Sequence, residues 1–481
     1  MTDSAPEGPK TKRVNLKQGW ADAVWFVLQE CVRFQELFQE AVRTKQLSSL
    51  PKEDLLYELK SKRGRHLICG REAHRRLLDA VIDAHGRSGI ARTISVDRLF
   101  KAVQRLIVER FIDGEDEASL GKVDSLFAAA VCQVRAAGAD STHYIPCQLM
   151  HVADPDHFSV GPVTFHNRET FTAIGERLAR ERGEKHGDRD DSIMRKVLKH
   201  YEYYSWVAEV MIRGCDKEIG QERATLAVNA AVDFLRLLFG HHHSRKMSAA
   251  GPPLESEIGA TIEVRDGETE ISYSVGAISA VGFEKGWAGK LNDLGPRELT
   301  TAAGRAIEAI TDPGIERPLG LRFLDAASWH GQAVREVSPA AAIVKSVTAL
   351  ERLVTVRKKT NATVMVCERS AAMSYDPTRD ERFDALLARI GSIYDLRSRL
   401  AHGMLSPFDP EVRRRRAEVL AAVEKSLVNG LALFDQDQLL DRPLNRRQLD
   451  DGLNALVSWA RRIDADKAAR HAGHGEALPE E

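Results

Sequence analysis

Two residues near the C-terminal end of the chain have the types and spacing of a nuclease-like pair. They are Arg397 and His402, in the stretch SIYDLRSRLAHG. An imidazole exchanges protons near neutral pH, so it can act as general acid or base. A guanidinium keeps its charge and can neutralise charge building up on a phosphate. Asp395, Ser398 and Arg399 lie beside the pair, the first as a candidate to orient His402 and the other two as candidate substrate contacts. A run of four arginines, Arg413, Arg414, Arg415 and Arg416, follows shortly after. Cations at a helix N-terminus oppose the helix dipole, so their placement asks for a use, and a phosphate track is one. A plainer reading of each stands beside it. Arg397 would be a structural ion pair, His402 a C-capping side chain, and the arginine run a basic surface helix.

The element that must position the pair is the stretch from Phe383 to Met404. Phe383, Leu386, Leu387, Ile390, Ile393, Tyr394 and Leu400 share one face at a helical period. Gly403 follows where a left-handed cap residue belongs. Arg397 falls near the middle of the apolar stripe, where a permanent charge needs a partner or a cavity. Glu351 is the candidate partner, at the edge of a second stripe of Ile343, Val347, Leu350 and Val354. In an ideal helix, side chains five residues apart point about 140° apart. Arg397 and His402 therefore meet only if the helix unwinds before His402, as Gly403 suggests, or if two chains share a site.

The 481 residues predict two to four domains, and an apolar fraction of 43% allows several packed cores. The net charge is −1, so a nucleic-acid surface has to be a local patch. No apolar run approaches the ~20 residues of a membrane span, and MTDSAPEGPKTKR lacks the apolar centre of a signal peptide. The six cysteines form no CxxC pair, which argues against a zinc knuckle or a disulfide framework. A cytoplasmic chain with no metal or other cofactor and no membrane partner is the expectation.

The expected fold class is mainly α with short β-hairpins. Residues 1–140 read as a helical N-terminal region, after a disordered start at 1–14, with helices near 52–62, 68–84, 95–112 and 118–136. Ser95 is the expected N-cap of the third. Residues 141–312 read as an α+β middle region, with two short strands after 141, helices near 167–186, 191–214 and 218–239, a loop at 241–256 and a hairpin near 260–276. Asp266-Gly267 supplies the hairpin turn. Residues 313–435 read as a four-helix unit. Ser338-Pro339 and Asp409-Pro410 open its second and fourth helices, and a loop of about 20 residues precedes the third. Residues 436–481 read as a C-terminal helix that docks or dimerises, then a disordered tail from Asp464. A second basic cluster, with Lys60, Lys62, Arg63, Arg65, Arg71, Arg75 and Arg76, reads mainly as a solvated face, with a nucleic-acid or sensor surface as the alternative. So do His241, His242 and His243, which suggest at most a weak metal site.

SIYDLRSRLAHG at the end of a third helix, with TALERL on the second, resembles the HEPN superfamily, in particular the ApeA-like HEPN domains of bacterial defence proteins. The likeness covers roughly 318–435. It implies a four-helix HEPN bundle and a metal-independent endoribonuclease that works as a homodimer with its two motifs facing each other. Its catalytic residues would be Arg397 and His402, its substrate RNA, and its products a 2′,3′-cyclic phosphate and a 5′-hydroxyl. It also implies abortive-infection function, with the N-terminal region restraining the nuclease until a phage-derived trigger arrives. Ser398 departs from the pattern, because many active members carry Asn, Asp or His directly after the arginine. A non-catalytic HEPN module that binds RNA or protein is the alternative.

Overall fold

The computed structural model describes residues 16–45, 57–60, 66–114, 116–150, 152–186, 191–249, 257–265, 268–276, 285–356, 362–443 and 445–473. The expected disordered N-terminus, the Asp266-Gly267 turn, and Lys62, Arg63 and Arg65 lie outside them. The chain is mainly helical, with small antiparallel sheets. It divides into two compact units. The first holds Met1–Ser141 and Arg213–Gln221, and the second holds Thr142–Ile212 and Glu222–Glu481.

In the first unit, α1 (Leu16–Arg43) precedes a hairpin of β1 (Tyr57–Lys60) and β2 (His66–Cys69). The strands replace part of the helix expected at 52–62; YELK and HLIC are each too short to make a helix alone. Three helices follow: α2 (Arg71–Arg87), α3 (Val96–Ile107) and α4 (Leu120–Ala136). Val24, Val27, Leu77, Val81, Leu99, Val103, Leu126 and Phe127 fill their common core. Ser95 caps α3 as expected, accepting a hydrogen bond from the Arg98 amide at 3.2 Å. Asp216 in turn accepts from both the amide and the hydroxyl of Ser95, each at 2.7 Å.

A five-stranded antiparallel sheet dominates the start of the second unit. Its strands are β3 (Ala139–Gln148), β4 (His157–Val160), β5 (Val163–Asn167), β6 (Trp206–Cys215) and β7 (Ser248–Ala249), in the order β4-β5-β6-β3-β7. The ends of β3 and β6 belong to the first unit by sequence. The long helices between these strands in the chain are α5 (Arg168–His186), α6 (Asp191–Tyr201) and α7 (Lys217–Phe239). The expected helix at 191–214 is therefore corrected to a helix and then a strand. Trp206, Val207, Ala208, Val210 and Ile212 are all buried. A strand covered on both faces reads as a continuous apolar run, and such a run does not distinguish strand from helix by period. The expected loop at 241–256 begins with a short helix, α8 (His241–Ser244). The expected hairpin is present as β8 (Glu257–Arg265) and β9 (Glu268–Gly276), with Ile262 opposite Ile271 and Arg265 opposite Glu268.

Among the described residues, seven α-helices follow in the unit: α9 (Leu294–Thr311), α10 (Pro318–Arg335), α11 (Pro339–Val354), α12 (Ala362–Ser374), α13 (Phe383–Ala401), α14 (Pro410–Asp435) and α15 (Arg446–Gly473). Ser338 and Asp409 cap α11 and α14 as their sequences predict. Two expectations are corrected. The loop before α13 contains α12, whose Val366, Cys367, Ala371, Ala372 and Met373 are buried. The tail does not begin at Asp464 either, since α15 runs on to Gly473. Asp464 is buried and accepts from the Phe383 amide at 3.1 Å and from the Arg382 guanidinium at 2.9 Å. α13 has no side-chain cap of its own, so α15 caps it from a distance. Arg369 on α12, also buried, donates to Asp450 at 2.6 Å and Asn454 at 2.7 Å on α15.

A buried polar knot joins α8, α10 and α14. Glu424 receives His241 at 2.8 Å and His330 at 3.2 Å. Burial pushes the Glu424 carboxyl up, but the two imidazole hydrogen bonds outweigh it and bring it down to about 2. Burial holds the fully enclosed His330 below the usual imidazole range, against the pull of Glu424. His330 Nδ1 has no partner. A neutral ring that donates from Nε2 and leaves a bare lone pair at Nδ1 satisfies both observations.

Two outcomes follow for stability. Asp464→Ala removes a cap and leaves Arg382 unpaired, and should cost about 1–3 kcal/mol in urea unfolding. Because the folded His330 resists protonation, stability should fall as pH drops below about 6.5, where the unfolded imidazole gains its proton. His330→Gln keeps a donor to Glu424 and should flatten that part of the pH–Tm profile relative to the wild type.

Candidate functional site

α13 packs chiefly on α12 and next on α11, with lesser contacts to α14 and α15, and its Phe383, Leu386, Ile390, Ile393 and Leu396 are all buried. Leu396 completes the face, and Leu387 and Leu400 are only half-buried. The apolar stripe therefore ends beside Arg397 rather than enclosing it. The Arg397 side chain is 25% exposed and meets Glu351 on α11 at 3.4 Å. Tyr394, one turn earlier on α13, donates its hydroxyl to the other oxygen of the same carboxylate at 2.9 Å. The guanidinium also lies 5.8 Å from the centre of the Tyr394 ring. Glu351 thus orients two side chains at once. Burial and this carboxylate together raise the Tyr394 phenol above its ordinary range, so it remains a donor. Arg397 Nε is buried without a partner, so the fork spends only one edge on Glu351.

The helix does not unwind before His402. The His402 amide donates to the Ser398 carbonyl at 3.0 Å, an ordinary helical bond. Termination comes one residue later. Gly403 takes φ +71°, its amide reaches Leu400 O at 3.3 Å, and the Met404 amide reaches Arg399 O at 2.8 Å. This is a Schellman ending, in which a left-handed residue closes the last carbonyls. With the backbone wound through His402, the two side chains leave the helix about 140° apart. The convergence by unwinding allowed by the sequence is corrected on this point. His402 is exposed and makes no side-chain hydrogen bond among the described residues.

The remaining candidates divide. Arg399 lies between Glu411 at 3.4 Å and Asp395 at 4.0 Å, which ties the end of α13 to the start of α14. Asp395 is exposed and faces Arg399 rather than orienting His402. Ser398 is half-buried, and its carbonyl serves the helix. Arg415 bonds Glu418 at 3.0 Å and Ser392 at 2.9 Å. Arg416 donates to the Glu336 carbonyl at 2.6 Å and so closes the end of α10. Both are thus held by partners within the chain. Arg413 and Arg414 are exposed and make no ion pair among the described residues. In the other basic cluster Arg75 and Arg76 are both paired with Glu72, whose carboxyl their guanidinium groups lower to about 2. His241 is committed to Glu424, and no group of three metal-binding side chains occurs among the described residues. No described helix is long and apolar enough to cross a membrane.

In the sequence Tyr394 stands only as part of an apolar face. Its spacing of three residues from Arg397 was the available signal, but the shared carboxylate lies on another helix. The Arg397–Glu351 pair is long and partly solvated, so Arg397→Ala should change unfolding free energy by about 1 kcal/mol or less. Chemical denaturation of the two proteins measures this directly.

No protein-family model matches the chain, and neither a curated protein nor a solved structure is significantly similar to it. What the site can do therefore follows from its own residues: a carboxylate-oriented, half-exposed guanidinium and a solvent-facing imidazole at the end of one helix.

Proposed function

We propose that the chain is a HEPN-type endoribonuclease, with α10, α11, α13 and α14 as the four helices of the HEPN unit. Two chains meet so that the ends of their α13 helices face each other. The observation that carries this reading is the placement of Arg397. It is oriented by Glu351 at 3.4 Å, partly open to solvent, and followed at the helix end by an unpaired His402. A purely structural ion pair needs neither a side chain left partly open to solvent nor an unpaired imidazole five residues along the same helix.

In the reaction, one His402 takes the proton of a ribose 2′-hydroxyl as its oxygen attacks the adjacent phosphorus. The bond to the 5′-oxygen breaks, and the second His402, protonated, supplies that oxygen with a proton. A 2′,3′-cyclic phosphate and a 5′-hydroxyl result. Arg397 neutralises the charge on the five-coordinate phosphorus. DNA lacks the nucleophile. The segments before the HEPN unit restrain it until a phage-derived trigger arrives, as the likeness to abortive-infection proteins suggests.

The divergence of Arg397 and His402 within one chain favours one rival, a non-catalytic module that retains RNA through Arg397. RNA-end mapping separates them. Cells expressing the wild type and challenged with a panel of phages should accumulate 2′,3′-cyclic phosphate ends. His402→Ala and Arg397→Ala should each lower them at least 100-fold with the protein level unchanged. Equal ends in wild type and His402→Ala would overturn the nuclease reading. RNA retention that Arg397→Ala weakens, without cyclic ends in any strain, would establish the rival.

A further inference from the structure

The loop between α13 and α14 carries the most exposed large apolar side chain among the described residues: Phe408, at 93%, with Met404 beside it in sequence at 67%. A ring standing almost wholly in water adds nothing to folding. The loop around it is nevertheless held by hydrogen bonds on both sides of the ring. Leu405 is buried, and the amides of Met404 and Leu405 both donate to Arg399 O, at 2.8 and 3.1 Å. The Ser406 hydroxyl accepts from the Phe408 amide at 3.2 Å, and its carbonyl accepts from the Asp409 amide at 3.0 Å. Asp409 caps α14 by accepting from the Glu411 amide at 2.8 Å. Arg399 and Glu411 clip the base of the loop at 3.4 Å. Phe408 is therefore presented by a braced turn, so binding through it costs little ordering entropy.

The charge around the ring is just as informative. Asp409 and Glu411 are spent on the cap and on Arg399, whereas Arg413 and Arg414 stand exposed and unpaired on the first turns of α14. They lie about 6 Å or less along the helix axis from its start. An exposed aromatic ring two residues before a helix whose first turns carry two open guanidinium groups suits a ligand that offers a flat π-surface and phosphates together. A protein partner fits less well. Two side chains fall far short of the ~800 Å² per partner that a stable protein interface needs, while one stacked base needs only one ring face.

We propose that Phe408, supported by Met404, is a base-stacking platform for single-stranded RNA, with Arg413 and Arg414 holding the flanking phosphates. The platform extends the proposed cleavage site and rests on that reading for its substrate, but binding through it does not require cleavage. It gives the site a preference for unpaired nucleotides, because a base inside a duplex has no free face to offer.

The test uses the full chain and a 2′-O-methyl oligonucleotide, which cannot be cleaved through its 2′-oxygen, carrying 2-aminopurine. Binding should quench the 2-aminopurine emission in the wild type. Phe408→Ala should weaken binding about tenfold or more, the size of one lost base–aromatic stack, and abolish the quench. Phe408→Trp should restore both. A blunt duplex of the same length should bind more weakly and be indifferent to the substitution. Arg413→Ala with Arg414→Ala should flatten the salt dependence of affinity without removing the quench. Because Phe408 is exposed, circular dichroism should show all variants folded. Equal affinity of wild type and Phe408→Ala for the single strand would overturn the platform, and so would a Phe408-dependent duplex affinity. If Phe408→Ala instead dissociates a dimer in sedimentation, the ring is a contact between chains and the proposal fails. Intact Phe408-dependent binding without cyclic ends in infected cells would sink the nuclease alone and leave the platform standing.

Discussion

A helix that stays hydrogen-bonded to its last residue cannot turn two side chains five residues apart toward each other. α13 is such a helix. Its ladder continues through the His402 amide, and the left-handed Gly403 closes it only afterwards. Arg397 consequently faces α11, where Glu351 receives it, and His402 faces solvent. A single chain presents the two side chains of the proposed chemistry on different sides of one rod. If they act on one phosphate, a second copy has to bring the missing half.

The rest of the second unit serves to hold that rod at both ends. At its start, Asp464 reaches across from α15 to cap the Phe383 amide and pair with Arg382. The buried Arg369–Asp450 pair keeps α15 in register for this. At its end, Arg399 ties α13 to Glu411, and Asp409 starts α14 after a short braced loop. Farther along α14, Glu424 gathers His241 and the fully buried His330 into one knot. Each fixture is polar and buried or partly buried. Such contacts add modest net stability but penalise alternatives that leave a partner unmatched.

Local signals in the sequence were the readable ones. Ser95, Ser338-Pro339 and Asp409-Pro410 mark helix starts because capping depends on neighbours in the chain. Gly403 marks the helix end for the same reason. The Arg397–Glu351 pair was legible too, because a permanent charge within an apolar stripe needs a partner and Glu351 sits at the edge of the stripe that can face it. What failed depended on distant partners. Trp206–Cys215 is apolar enough to pass for helix and becomes a strand only by pairing in the sheet. Asp464 looks like the start of a polar tail until Phe383 is placed beside it. Arg415 and Arg416 look free until Ser392 and the end of α10 take them up.

Whether two chains bring their His402 residues together is the question on which the account turns, and short-range crosslinking answers it directly. Cys132 is the only exposed cysteine among the described residues, so Cys132→Ser gives a quiet background in which to place His402→Cys. A bifunctional thiol reagent with a span of about 10 Å should convert this protein to a covalent dimer, and a cysteine in place of the exposed Glu418 should stay monomeric. A chain that sediments as a dimer yet gives no His402→Cys crosslink would contradict the shared site.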